Sequence, residues 1–152
     1  MIYFDAAYIA KCYLNEPGAE RVRELAYGAD GLASCELARL ELASILKRHL
    51  RERHVTRREM TAILKEFEAD EKNGVWQWLG VTSEVLEQAR IAVLELPVTV
   101  FVRSGDALHL ACAREHGFEE VYTNDRHMLQ AARHFRLTGV DVLGDKRSGA
   151  GR

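Results

Sequence analysis

Hydrophobic and polar positions along the chain fall into short apolar runs that alternate with stretches of helical spacing. "MIYF" reads as a short buried strand, and "AAYIAKCYL" after Asp5 places apolar residues at helical intervals. Pro17 and Gly18 interrupt, and "AERVRELAYGA" resumes the helical pattern. "GLASC" predicts a second strand and "ELARLELASILKRHL" an amphipathic helix. The next helix, "TRREMTAILKEFEADEKNG", opens at Thr56 with Glu59 three residues on, the spacing of a capping box. "VWQWLGV" predicts a strand and residues 83–96 a helix. The form of the β-branched "VTVFV" beyond Pro97 stays open. "SGDALHLACAREHG" predicts a helix capped by Ser104 and stopped by Gly117. A strand "EEVYT", a helix "RHMLQAARHF" and a last short strand "GVDVL" complete the pattern.

Strands alternating with helices predict the α/β class, with a parallel sheet covered on both faces. The 152 residues suffice for one core and are few for two. A single domain is expected over residues 1–143, and the Gly-rich, polar residues 144–152 are expected to be a disordered tail.

Composition narrows the function. No stretch approaches the roughly 20 apolar residues that cross a bilayer, and the N-terminus lacks the basic opening of a signal peptide, so no membrane role and a cytoplasmic location are expected. Cys12, Cys35 and Cys112 are far apart and in no CxxC spacing, which argues against a disulfide framework or a thiolate zinc site and for small buried residues. The net charge of −2 denies the chain a global positive field, so a polyanionic partner needs a local basic patch. Residues 47–58 supply one, with six Lys or Arg against one Glu; Lys47, Arg48 and Arg51 lie in it, while Arg103 and Arg126 stand next to acids. A solvated helix face is the plainer account of the run. Trp76 and Trp78 alternate in a predicted strand, which makes at least one of them core.

The chemistry lies in acids. Asp5 and Asp125 directly follow predicted strands, and Asp106 lies near a predicted helix start. In a parallel sheet with right-handed crossovers, strand C-termini and helix N-termini gather along one edge, where these carboxylates can converge. Asp125 alone could be no more than a helix N-cap. Glu41 cannot, because it falls inside a helix with Leu37 and Ile45 at i−4 and i+4, and an acid on an apolar wall is costly unless something pairs with it. Arg48, one heptad on, is the local candidate. Converging acidic oxygens suit Mg²⁺ or Mn²⁺, which can activate a water and offset charge on a phosphodiester. That chemistry needs no histidine base, so His109 and His127 read as surface residues or as supports behind the acids.

Four segments in this order, "IYFDAAYIAKCYL", "LELASILKR", "RSGDALHLACA" and "VYTNDRHMLQAA", resemble the PIN-domain ribonucleases, and among them the VapC-type toxins of toxin–antitoxin pairs. The resemblance implies a three-layer α/β/α sandwich around a parallel sheet. It assigns Asp5, Glu41, Asp106 and Asp125 to a catalytic site holding Mg²⁺ or Mn²⁺ and cutting RNA to 5′-phosphate and 3′-hydroxyl ends. Thr123 and Asn124 match the family's turn and would support the pocket. A homodimer and a VapB-type antitoxin are implied as partners. "LPVTVFVRSGD" is the segment least like the family. Rival readings are an RNA-binding or scaffold module without turnover, a housekeeping RNA-processing nuclease, and a receiver-type phosphotransfer domain, which the absence of Lys from "TGVDVL" disfavours.

Overall fold

The computed structural model describes residues 1–144. Its elements run β1 (Ile2–Tyr3), α1 (Ala6–Tyr13), α2 (Ala19–Tyr27), β2 (Leu32–Cys35), α3 (Leu37–Arg51), α4 (Arg57–Lys72), β3 (Trp76–Leu79), α5 (Ser83–Glu95), α6 (Ser104–Glu115), β4 (Glu120–Tyr122), α7 (Arg126–Ala132) and β5 (Thr138–Val140). All pairing is parallel: Tyr3 lies opposite Ala33, Leu32 opposite Trp76, and Val121 opposite Gly139. One parallel bridge, Phe4 to Tyr122, joins β1 to β4, and the Asp5 N–H donates to the Tyr122 carbonyl at 3.2 Å. The strands therefore run β3-β2-β1-β4-β5 across the molecule, with the seam closing where Asp5 leaves β1.

Period-two alternation sorts the strand side chains between two cores. Tyr3, Ala33, Cys35, Leu79 and Val121 pack with Val85, Leu110 and Met128 of α5, α6 and α7. Phe4, Leu32 and Trp76 pack on the other face with Ile9, Leu42, Leu46 and Phe67 of α1, α3 and α4. This is the predicted three-layer α/β/α sandwich. The strands are two to four residues long.

Several local expectations hold. Both hydrogen bonds of the Thr56–Glu59 capping box form. Gly117 at φ +79 ends α6 in the left-handed conformation that favours glycine, and the Phe118 N–H reaches back to the Ala113 carbonyl at 3.0 Å. Trp76 is core and donates through Nε1 to the Tyr13 hydroxyl at 2.8 Å, while Trp78 is half-buried and stacks on it. Cys35 and Cys112 are buried; Cys12 is only partly so.

Three details differ. Ser104 does not cap α6: Arg103 occupies the N-cap in extended geometry without a side-chain cap bond, its guanidinium being engaged by Asp125, and Ser104 is the first helical residue. The last predicted helix stops at Ala132 and continues as a 3₁₀ turn, Arg133–Phe135, before Arg136 reverses the chain at φ +57. The last strand covers Thr138–Val140 rather than "GVDVL", because Asp141 turns aside to accept from the Tyr8 hydroxyl at 3.1 Å and from the Leu143 N–H at 2.8 Å. "VTVFV", left open from the sequence, forms neither helix nor strand; a turn from the Val100 N–H to the Pro97 carbonyl at 2.8 Å starts it. The expected tail lies, beyond Gly144, outside the described residues. Among the described residues no helix is long and apolar enough to cross a membrane.

The contact between β5 and α7 leaves no space for one more methyl group. A Cβ at Gly139 would stand 2.9 Å from Leu129 Cδ2 and 3.0 Å from its Cα, the latter backbone that cannot swing away, whereas at Gly80 it would meet nothing within 4 Å. Gly139→Ala is therefore expected to cost about 1–3 kcal/mol in urea unfolding, and Gly80→Ala to be neutral or nearly so. Equal unfolding midpoints for the two variants would contradict this packing.

Candidate active site

Two turns at the C-terminal edge of the sheet are tied together by one threonine. Asp5 caps α1, its Oδ1 accepting from the Tyr8 N–H at 2.8 Å. Its Oδ2 accepts a short hydrogen bond from the Thr123 hydroxyl, and the same hydroxyl oxygen accepts from the Asp125 N–H at 2.9 Å. Asp125 caps α7 with Oδ1, which accepts from the N–H groups of His127 and Met128, and its Oδ2 pairs with Arg103 at 3.2 Å. Asp106 lies in the first turn of α6, and Glu41 projects from α3. All four acids line one cavity of about 300 Å³, with Arg48, Arg103 and His109 on its walls.

The partner of Glu41 is not Arg48. His109, 1% exposed, directs Nε2 at Glu41 Oε2 at 2.7 Å and Nδ1 at the Tyr3 hydroxyl at 2.9 Å. His109 is therefore a support behind the acids and not a surface residue. Burial opposes a charge on its ring, but hydrogen bonds to Cys35 and Glu41 outweigh that and carry its pKa up to about 10. Gly105 completes the arrangement, since a Cβ there would come within 3.1 Å of Glu41 Oε1. Sequence reading missed the pair because its members lie 68 positions apart. The available signal was a polar residue on each of two apolar helix faces, each requiring a buried partner.

The cavity is under-compensated for its negative charge. Burial, opposed in part by the Thr123 and Tyr8 hydrogen bonds, holds the Asp5 carboxyl up at about 6. Burial first, and then the charge of Asp125, raises Asp106 as well. Asp106 Oδ2 is buried without a hydrogen-bond partner. A buried, unsatisfied carboxylate oxygen beside three further carboxylates is a donor set that fits a hard divalent cation. Among the described residues no three such groups stand close enough to enclose an ion by themselves. That spacing is what like charges held by separate partners should adopt, and Mg²⁺ in any case keeps several waters.

The remaining predicted residues divide. Lys47, Arg48 and Arg51 line a shallow basin on α3, and Ser44, Ile45 and Arg48 belong to both basin and acidic cavity, so the basic surface runs into the acids. Arg126 is exposed at the start of α7. Asn124 is exposed and lines a different cleft, beside Leu14 and Ile63, so it is not brought to the acids. His127 is half-buried against Phe101.

Tyr3 is expected to matter more than its distance from the acids suggests. Its oxygen also accepts from the Cys35 N–H at 3.2 Å, so Tyr3→Phe leaves a buried backbone donor unsatisfied and His109 Nδ1 with only the weak contact to Cys35 Sγ at 3.6 Å. A loss of about 1–3 kcal/mol in denaturant unfolding is expected; an unchanged midpoint would show that the hydrogen bonds of the Tyr3 hydroxyl add no net stability.

The PIN-domain family model matches residues 2–134. No curated protein sequence matches the chain. Among solved structures, the chain resembles the toxin VapC20 of Mycobacterium tuberculosis, described as cleaving the sarcin–ricin loop, with TM-score 0.68 and 18% identity over 86% of this chain and 95% of that one. It also resembles FitAcB from Neisseria gonorrhoeae, with TM-score 0.66 and 14% identity over 91% and 96% of the two chains. VapBC2 from Rickettsia felis, solved on a DNA fragment from its promoter, matches with TM-score 0.64 and 14% identity over 93% and 98%. At these identities the likeness shows a shared fold. The family model runs from β1 into the 3₁₀ turn after α7, so every element that carries one of the four acids lies inside it, and the chain belongs to the PIN-domain family.

Proposed function

We propose that the protein is a Mg²⁺- or Mn²⁺-dependent endoribonuclease acting as the toxin of a toxin–antitoxin pair. The observation that carries the reading is the convergence of Asp5, Glu41, Asp106 and Asp125 on one cavity, with Asp106 Oδ2 buried and unsatisfied. These four residues would hold the cation, which when bound supplies the Lewis acidity that activates a water and offsets charge on the scissile phosphodiester. The chain's own part is positioning. Thr123 orients the Asp5 carboxylate, His109 orients Glu41, and Arg103 steers Asp125 while leaving its exposed guanidinium able to meet a phosphate. Arg48, Lys47 and Arg51 lead an RNA backbone along α3 into the acids and make its binding depend on salt.

The partners follow from the same surfaces. An acidic cavity is a target for an Arg or Lys inserted by a VapB-type antitoxin, and the cleft between α1, α3 and α4, lined by Leu14, Val55 and Ile63, would seat an apolar segment of that partner. The structural neighbours that are toxin–antitoxin assemblies support this reading. A homodimer would cover the apolar cleft of Leu86, Val93, Val102 and Leu108 between α5 and α6. A cytoplasmic location belongs to the same proposal.

Purified protein is expected to cut total RNA with Mg²⁺ or Mn²⁺, to stop in EDTA, and to leave 5′-phosphate ends. Asp5→Asn, Glu41→Gln, Asp106→Asn and Asp125→Asn should each lower the rate by at least about 100-fold. Cleavage in EDTA, or ends bearing 2′,3′-cyclic phosphate, would overturn the mechanism. A protein harmless when expressed alone, with no neighbouring small gene product that copurifies, would favour the housekeeping nuclease instead.

Metal-free stability gives an independent check. The folded pKa of Asp5 lies above its usual 3.8, at about 6, so the folded state binds the proton more tightly and loses stability as pH rises from about 4 to 6. Asp5→Asn removes that loss. In EDTA its stability advantage should be absent near pH 4 and reach up to about 3 kcal/mol at pH 7; a variant no more stable than wild type at pH 7 would mean that Asp5 is simply a helix cap, because Asn caps as well as Asp.

A further inference from the structure

Phe101 is 56% exposed, in the irregular segment between α5 and α6, and its ring meets the His127 ring edge-to-face with centroids 4.9 Å apart and planes at 80°. This pair is anchored at the rim of the acidic cavity from both chain segments. Two residues after Phe101, Arg103 pairs with Asp125 Oδ2, while the His127 N–H donates to Oδ1 of the same Asp125 at 2.8 Å. Both Arg103 and Asp125 line the cavity. The two rings therefore stand one ion pair away from the acids.

Core packing does not account for Phe101. Burying a phenylalanine fully is worth about 1.5–3 kcal/mol, yet more than half of this one faces solvent, and the apolar cleft between α5 and α6 is lined by Leu86, Val93, Val102 and Leu108 without it. Its ring contact orients His127, whose Nδ1 is buried with no hydrogen-bond partner to do so. Two cations flank the pair, Arg103, with its side chain 62% exposed and its guanidinium paired with Asp125, and exposed Arg126, adjacent to His127. An exposed aromatic ring on a rim that also carries exposed arginines is the chemistry that holds an unpaired base by stacking while its phosphates are neutralised. Across the cavity the basic face of α3 continues the track.

We propose that the Phe101–His127 pair is a stacking platform that seats one unpaired nucleobase of a single-stranded RNA beside the acidic cavity, with Arg126 meeting a neighbouring phosphate. The proposal rests on the ribonuclease reading, and it is tested by binding without turnover so that the two can fail separately. The full-length protein in EDTA is titrated into a fluorescein-labelled pool of random-sequence RNA decanucleotides and into a perfect RNA duplex of the same length, reading anisotropy. Phe101→Ala is expected to weaken single-strand binding about 5- to 100-fold and to leave duplex binding unchanged. Phe101→Leu, which keeps the apolar bulk without the π-face, should behave like the alanine variant, and Phe101→Trp should bind at least as tightly as wild type. Light scattering on the same samples should show an unchanged oligomeric state. Wild-type affinity in the leucine variant, equal losses for single strand and duplex, dissociation of a dimer by Phe101→Ala, or no binding of the pool by the wild type would each overturn the platform. Phe101-dependent binding by a protein that does not cut RNA with Mg²⁺ or Mn²⁺ would uphold the platform and overturn the nuclease reading.

Discussion

The buried hydrogen-bonded bridge from Tyr3 through His109 to Glu41 is the constraint on which the rest of the structure depends. A histidine without access to water must find partners for both ring nitrogens, and here they come from β1 and α3, while the ring itself belongs to α6. The Tyr3 oxygen also accepts from β2 at Cys35. Four elements are thereby held at one point between the sheet and its helices. A buried charge is tolerated only when paired and fully hydrogen-bonded, so displacing any one of them carries the cost of the others. The beneficiary is Glu41, whose second oxygen is left to face Gly105 at the start of α6.

The acidic cavity works against the stability of the fold. Asp5 and Asp106 would both be easier to fold protonated, and one Asp106 oxygen has no partner at all. Two cores, one on each face of the sheet, supply the apolar burial that lets the chain tolerate this. The seam between β1 and β4, a single bridge rather than a full ladder, lies at the same place. It lets Asp5 and the Thr123 turn leave neighbouring strands and meet, which a longer ladder would prevent by carrying the chains past each other.

Much of this was legible in the sequence because the responsible forces are local. Alternation of strand and helix, the Thr56–Glu59 box and the Gly117 stop depend on neighbours within a turn or two, and the order of the four acids fits the topology those elements impose. What escaped depends on contacts across the fold. Ser104 has the chemistry of a cap, but the ion pair of Arg103 with Asp125, 22 positions away, draws the preceding residue into the capping place. Arg48 was the partner a helical wheel offers Glu41, yet His109 reaches it from the opposite layer. Asn124, next to Thr123 in the chain, points to another cleft because successive residues of an extended turn face opposite ways.

Capping and cavity-lining are not competing roles for Asp5 and Asp125, because a carboxylate has two oxygens. In each, Oδ1 accepts backbone N–H groups of the helix that follows, and this fixes the side chain in one rotamer. Oδ2 is then held toward the other acids, by Thr123 in one case and by Arg103 in the other. The two second partners differ in kind. Thr123 is fully buried and binds both turns, so its hold on Asp5 is permanent, whereas Arg103 is mostly exposed and its ion pair is weak enough to exchange. When that ion pair opens, the Asp125 oxygen and the Arg103 guanidinium are each free to take another partner, which the Asp5 oxygen held by Thr123 is not. Asp5 supplies the rigid corner of the cavity, and Asp125 the corner whose second partner can exchange.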